Sequence, residues 1–264
     1  SKNHTLEVGG KYIIRNNYGE SDRFFMTGDE WVRDEPNCVD MKQFQDVGSL
    51  YAAYTGRFGR FMAKAGLRYE FTHMGTRFHT PGHTDFSTNL HDPVPNALIS
   101  YKISDGSSLR ASYRMQIQRP SVTSLNPTRN TSDPAVVYYG NPDLTSSRTH
   151  SVGLTYSNYA GALGGEIYAG YNRSSDLISQ YLFTAPDGIV NVTYGNLGTS
   201  DGAYINGYLN WTIISGLKLG LNFGTQYAHY LCRAIELDSD GWGYNFNLNL
   251  DYDLPHNWNI SAYG

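Results

Sequence analysis

Three groups of residues in this chain have types and spacings that can support chemistry. The first is a set of histidines, His73, His79, His83 and His91, with Asp85 and Asp92 close by. His79 and His83 are four apart, which on a helix would aim two imidazoles at one metal ion. No cysteine lies near them, and spacing without a rigid scaffold is weak, so the preferred reading is a solvated loop and no metal site is assigned. The second group is Arg23, Phe24, Phe25, Trp31 and Arg33, all within one long connection. Aromatic faces beside guanidinium groups can grip an amphipathic ligand. They can equally pack the connection against its neighbours, and both readings stand. The third group, Lys64, Arg68, Glu70, Arg110 and Arg114, falls on alternating segments. These charges either line a substrate path or pair with one another and with other acids, the second reading being preferred.

Other motifs carry less. The DSDG at Asp238–Gly241 has the opening of a calcium loop but lacks its remaining ligands, so it reads as an acidic surface turn. The glycines of Gly161–Gly165 precede no helix and are no phosphate loop. There is no nucleophile elbow and no His-Glu-x-x-His, so neither an enzyme nor a cofactor is expected. Two cysteines, Cys38 and Cys232, are too few for a disulfide framework, and they lie in separate long connections where no bond between them is expected. A net charge of only −4 gives no reason to expect nucleic acid as a partner.

The elements that must position these residues alternate with period two. Leu109, Ala111, Tyr113, Met115 and Ile117 share one face, with Arg110, Ser112, Arg114 and Gln116 on the other. The same pattern runs through Leu6–Ile14, Ala63–Phe71, Ala97–Ile103, Ile205–Ile213, Leu217–Phe223 and Trp242–Leu254. Segments of about ten residues suit tilted membrane strands, and no apolar run is long enough for a membrane helix. Short turns at Arg57–Arg60, Ser104–Ser107, Asn158–Leu163, Ser215–Gly216 and Pro255–Asn257 alternate with long connections. The long ones are Asn16–Phe44, Gly75–Thr84, Arg119–Ser146, Ser174–Asp201 and Cys232–Gly241. The expected fold is all-β: an antiparallel meander of about eleven strands in a transmembrane β-barrel, with long connections outside the cell and short turns in the periplasm.

Aromatic residues gather at strand ends, Trp242 and Tyr244 at one and Tyr252 and Trp258 at the other, as an interfacial girdle requires. Apolar faces then meet outer-membrane lipid, and Lys64, Arg68, Arg110 and Arg114 face a wet lumen. A soluble all-β sandwich alternates too and remains the competing fold. With eleven strands the first and last run in the same direction, so direct closure would need a parallel pair. Both ends of the chain also fall inside strand-like runs. Residues 1–264 are therefore expected to be part of one barrel domain whose remaining strands lie elsewhere in a longer protein.

The segment RMQIQRPSVTSLNP, followed by DPAVVYYGNPDLTSSRTHSVGLTYS, resembles the barrel of TonB-dependent outer-membrane receptors, and most closely the outer membrane protein beta-barrel family. The matching positions are Arg119, Pro120, Leu125, Asn126, Pro127 and Gly140 to Leu144. The chain departs from the family pattern at Thr145-Ser146-Ser147, where Lys-Pro-Glu is common. The resemblance implies a 22-stranded barrel with an N-terminal plug, which is not visible in this chain. It implies uptake of a scarce nutrient (an iron chelate, a cobalamin, a glycan or a peptide) driven by the TonB complex through that plug, with a surface lipoprotein as a further candidate partner. A passive porin-like or structural barrel, a barrel enzyme and a soluble binding domain are the alternatives.

Overall fold

The computed structural model describes residues 3–35, 38–133 and 135–264. Ser1 and Lys2, part of the strand-like start, lie outside the described residues, as does Pro36 of the first long connection. Strands come in the order β1 (His4–Ser21), β2 (Phe24–Thr27), β3 (Glu30–Arg33), β4 (Val39–Phe58), β5 (Phe61–Phe78), β6 (Phe86–Lys102) and β7 (Ser107–Gln118). A short helix α1 (Val122–Leu125), β8 (Asn130–Asp133) and β9 (Val136–Tyr138) follow. Then come β10 (Ser147–Asn158), β11 (Leu163–Thr184), β12 (Val190–Ile214), β13 (Leu217–Cys232), β14 (Leu237–Leu254) and β15 (Trp258–Tyr263).

The wall is one antiparallel meander, β1-β4-β5-β6-β7-β10-β11-β12-β13-β14-β15. That is eleven wall strands among the described residues, as the alternation predicts. The five short turns fall at the Gly, Asp, Asn and Pro positions that turn chemistry favours. Register carries the apolar stripe across neighbours without a slip: Leu6↔Tyr54, Tyr54↔Ala65, Ala65↔Ala97 and Ala97↔Tyr113 are directly opposed. Leu6, Val8, Leu50, Leu67, Ile99, Leu154, Ile205 and Leu248 are all exposed. A continuous exposed apolar belt has one physical use in a sheet this wide, which is contact with hydrocarbon.

The opposite face is polar, and its upper part is covered. Met74 and Leu90 pack there with Leu125 and Leu144 of the β7–β10 connection, and these four form the buried core. This covered face is the enclosed side of the wall. Arg68, Arg110 and Arg114 share it with Glu70 and Asp92.

Four of the five long connections are shorter than the sequence suggests, Gly75–Thr84 among them because β5 runs on to Phe78. β11 and β12 continue to Thr184 and Val190, which leaves only residues 185–189 between them. Asp238–Gly241 is not an acidic turn but the start of β14, paired along Leu231, Tyr230, His229 and Ala228. β1 likewise runs on to Ser21. Above the belt both faces meet water, so the strands lose their alternation without losing their ladders.

The β6–β7 ladder is cut short. It runs from Lys102↔Ser108 to Asn96↔Arg114 and stops beside Pro95. Pro93 and Pro95 are two apart, so their nitrogens face the same neighbour and neither has a hydrogen to give. The upper half of β6 pairs with β5 alone.

Candidate ligand site

The β7–β10 connection, residues 119–146, folds back onto the enclosed face. Arg119 forms an ion pair with Glu70, which also binds Arg68 at 2.5 Å. Glu70 stands directly opposite Asp92, and both are buried, at 8% and 1% exposure. Two neighbouring carboxylates repel each other, and the two guanidinium groups offset that repulsion. Burial first, then the charges of Arg68 and Arg15, push the Arg119 pKa below its ordinary value, although a guanidinium stays protonated. Ser146 donates to Asp92 at 2.8 Å and so ties the far end of the connection to the same acids.

Between these ends lies a clasp. Ser121 caps α1 by accepting from the Ser124 N–H at 3.0 Å. The Gly140 and Asn141 N–H groups donate to the carbonyls of Asn126 and Ser124, at 2.6 and 2.7 Å. A Cβ on Gly140 would sit 2.6 Å from the Asn126 nitrogen and the Ser124 oxygen, so only glycine fits. The Asn141 side chain accepts from Asp143 N–H and donates to the Tyr194 carbonyl. The Leu-Asn-Pro and Gly-Asn-Pro-Asp-Leu motifs are thus loop architecture. At the point of departure from the family pattern, Thr145 N–H donates to Asn196 and Ser147 Oγ to the Asp176 carbonyl.

Above the clasp opens a cleft of about 370 Å³, lined by Met41, Phe78, His83, Arg129, Tyr139 and Tyr194 among others. A second opening of about 850 Å³ adjoins it, shares His83 and Arg129, and reaches Glu35. Arg129 is the fixed cation of both. It donates to Asn191 at 3.0 Å and lies over the Tyr139 ring at 4.9 Å. No carboxylate pairs with it among the described residues. β9 holds this rim in place by pairing in parallel with the start of β12, Val136↔Val190 to Tyr138↔Val192. A guanidinium held against an aromatic ring, with phenols and apolar side chains around it, suits an anionic or aromatic ligand. Arg129 and Tyr139 lie in a connection the sequence already marks; Asn191 and Tyr194 sit where it reads as loop, and no motif marks them.

The structure brings Arg23, Phe24, Phe25, Trp31 and Arg33 together on and beside the β2–β3 hairpin. Phe24 opposes Arg33, and Met26 opposes Trp31. Phe24, Phe25 and Trp31 are exposed rather than packed on a neighbour, Trp31 at 67%. Both arginines already hold acids. Arg33 binds Asp22 at 2.5 Å and Glu35 at 3.4 Å, while Arg23 binds Asp34 at 3.5 Å. The bond to Asp22 is the chief cause raising the Arg33 pKa. Within the wall, Lys64 pairs with Glu7 at 3.0 Å. Arg110 and Arg114 lie opposite Ser100 and Asn96.

The histidines scatter. His79 contacts Asp40 at 3.1 Å, His73 bonds Asn89, His91 bonds Tyr69, and His83 stacks on Phe78. No cluster of three or more possible metal ligands occurs among the described residues. Cys38 and Cys232 are both free and buried.

A wide antiparallel wall with an apolar outer belt and an inward-folded connection defines an outer-membrane β-barrel. The model of the outer membrane protein beta-barrel family matches residues 1–264, and the chain belongs to that family. Solved structures that share the fold include three transporters. The FrpB iron transporter from Neisseria meningitidis (F3-3 variant) has a TM-score of 0.64 at 11% identity, over 99% of this chain and 39% of that one. The copper transporter OprC gives 0.69 at 10% identity, over 100% and 40%. The ferric citrate transporter FecA in unliganded form gives 0.63 at 14% identity, over 98% and 38%. The chain therefore spans about two fifths of the transporters it matches. A comparison with curated protein sequences finds no match.

Proposed function

We propose that this wall belongs to a TonB-dependent uptake receptor and that the cleft at its outer mouth receives an anionic nutrient chelate. The observation that carries the reading is Arg129, fixed by Asn191 and Tyr139 and open to the cleft without an acid of its own. The fold shared with iron, copper and ferric citrate transporters supports transport rather than catalysis. The free edges of β1 and β15 support a larger closed barrel, because an unpaired edge in hydrocarbon costs several kcal/mol per backbone group. The remaining strands and a plug contacting TonB belong to the same proposal. The exposed hairpin aromatics lie at the same mouth, with Glu35 linking their base to the larger opening.

The test is uptake of labelled ferric chelates by cells expressing the full-length receptor, with surface expression as control. Arg129→Gln lowers uptake while surface levels hold, and deletion of the TonB-contacting segment abolishes it. Uptake that survives that deletion identifies a passive pore instead.

A further inference from the structure

The enclosed face of the wall is not evenly charged. Between the short turns and the clasp, the strands from β1 to β7 carry Lys11, Arg15, Lys64, Arg68, Arg110 and Arg114 on it, against Glu7, Glu70 and Asp92. Those acids are taken: Glu7 by Lys64, Glu70 by Arg68 and Arg119, and Asp92 by Ser146. Arg110 and Arg114 are exposed, and no carboxylate pairs with either among the described residues. Across β12, β13 and β14 the same face presents amides instead, Asn206, Asn222, Asn245 and Asn247 among them. The lysine of that region, Lys218, sits at a short turn beside Asp253 at 3.6 Å. The surplus of positive charge is therefore confined to one side of the wall, and two of its members stand on a single strand.

Register surrounds those two with donors. Arg110 lies between Ser100 and Thr155, and Arg114 between Asn96 and Ser151. The row between them reads Ser112, Gly153, Gly170 and Tyr204. Tyr168, opposite Thr155, lays its ring across Gly153, where a Cβ would come within 2.4 Å of it, and the Tyr204 ring crosses Gly170 in the same way. The two tyrosine hydroxyls meet at 2.9 Å. One phenol donates to the other, so the second keeps a hydrogen to give. Glu166, on the far flank, already accepts from Ser157 at 2.8 Å. Arg110 and Arg114 stand four residues apart, about 13 Å along the strand. Two guanidinium groups with hydroxyls between them and no acid of their own make a bed of donors.

We propose that Arg110 and Arg114, with the Tyr168–Tyr204 pair, form a second anion-binding station inside the lumen, below the mouth cleft, for the carboxylate or phosphate groups of a solute. It takes over the anionic chelate received at Arg129, a step that rests on the reading of Arg129 given above. Surplus cations in a water-filled channel with a low-dielectric wall draw anions towards them. Because no acid holds either guanidinium, the incoming anion displaces only water. Arg68 and Arg119, higher on the same face, are neutralised by Glu70 and grip the anion less, so the chelate is not trapped beneath the mouth.

The test has one arm that needs no nutrient. The full-length receptor is crystallised with selenate, a dianion that its anomalous scattering locates. Selenate should sit between Arg110 and Arg114 in the wild type and be missing from Arg110→Gln/Arg114→Gln. A station empty of selenate, or one whose arginines bind carboxylates from elsewhere in the protein, overturns the proposal. The second arm measures uptake of iron-labelled citrate chelate by cells expressing the full-length receptor. The double variant should lower the maximal rate about tenfold with half-saturation and surface expression unchanged. Arg110→Lys/Arg114→Lys keeps the charge and should restore most of the rate. Arg129→Gln should instead raise the half-saturating concentration. Uptake that needs Arg129 and is indifferent to the double variant overturns the transfer step. Where citrate uptake does not depend on Arg129, the mouth reading fails, and the selenate arm alone decides the lumenal station.

Discussion

Two long connections rise from the same end of the wall and fold in opposite ways. The one between β1 and β4 forms a small hairpin with its aromatic side chains exposed. The one between β7 and β10 turns inward, caps its helix, closes a backbone clasp and buries Leu125 and Leu144 on Met74 and Leu90. Both are rich in residues that bind things. The difference lies in what each has already bound. The inward connection spends its apolar side chains on the wall and keeps one arginine, Arg129, free of acids. The hairpin does the reverse, committing Arg23 and Arg33 to acids and leaving Phe24, Phe25 and Trp31 exposed. On the proposed reading, a rigid cation and a set of exposed aromatics at one mouth would be complementary halves of a ligand grip.

The contrast can be broken from either side. Leu125→Ala removes a fully buried side chain, and the inward connection should lose about 2–5 kcal/mol of local stability. Hydrogen exchange should then rise across residues 119–146 while the wall strands stay protected; uniform exchange would mean that the connection is not a separate unit. Glu70→Gln weakens the hold on Arg119 and Arg68 and leaves the partly buried Arg119 short of charge, costing about 3 kcal/mol. Faster proteolysis near Arg119 checks it. Asn141→Ala deletes two side-chain hydrogen bonds of the clasp and should cost roughly 1–2 kcal/mol in the same exchange measurement. Trp31→Ala, on the exposed hairpin, should change stability by less than about 0.5 kcal/mol. Its effect should appear in ligand uptake alone, and a loss of stability with normal uptake would make the hairpin a packing element instead.

How far the sequence foretells this depends on what surrounds each strand. Inside the belt, lipid on one side and water on the other impose alternation, so Leu109 to Ile117 and Leu217 to Phe223 are legible one residue at a time. Above the belt that contrast vanishes. Ser174–Asp201 and Cys232–Gly241 read as loops although most of their residues continue the ladders of β11, β12 and β14. Pro93 and Pro95 hide the upper half of β6 for a different reason, since proline argues against a strand wherever its missing donor is unknown. The clasp was visible as a motif, because Gly140 and Asn141 have few alternative uses. The cleft was visible only by half. Arg129 lies in a marked connection, but Asn191 and Tyr194 reach it through pairings far away in sequence.

The interrupted ladder between β6 and β7 also bears on how such a wall escapes misassembly. An open strand edge is a template on which a stray segment can dock by hydrogen bonding, and a chain being threaded into a membrane presents such edges repeatedly. At the upper half of β6 the two prolines withhold the donors that docking needs. The hairpin of β5 and β6, zipped along its whole length, thus offers a foreign strand no donor at Pro93 or Pro95, and the partner it does take on that side pairs only as far as Asn96.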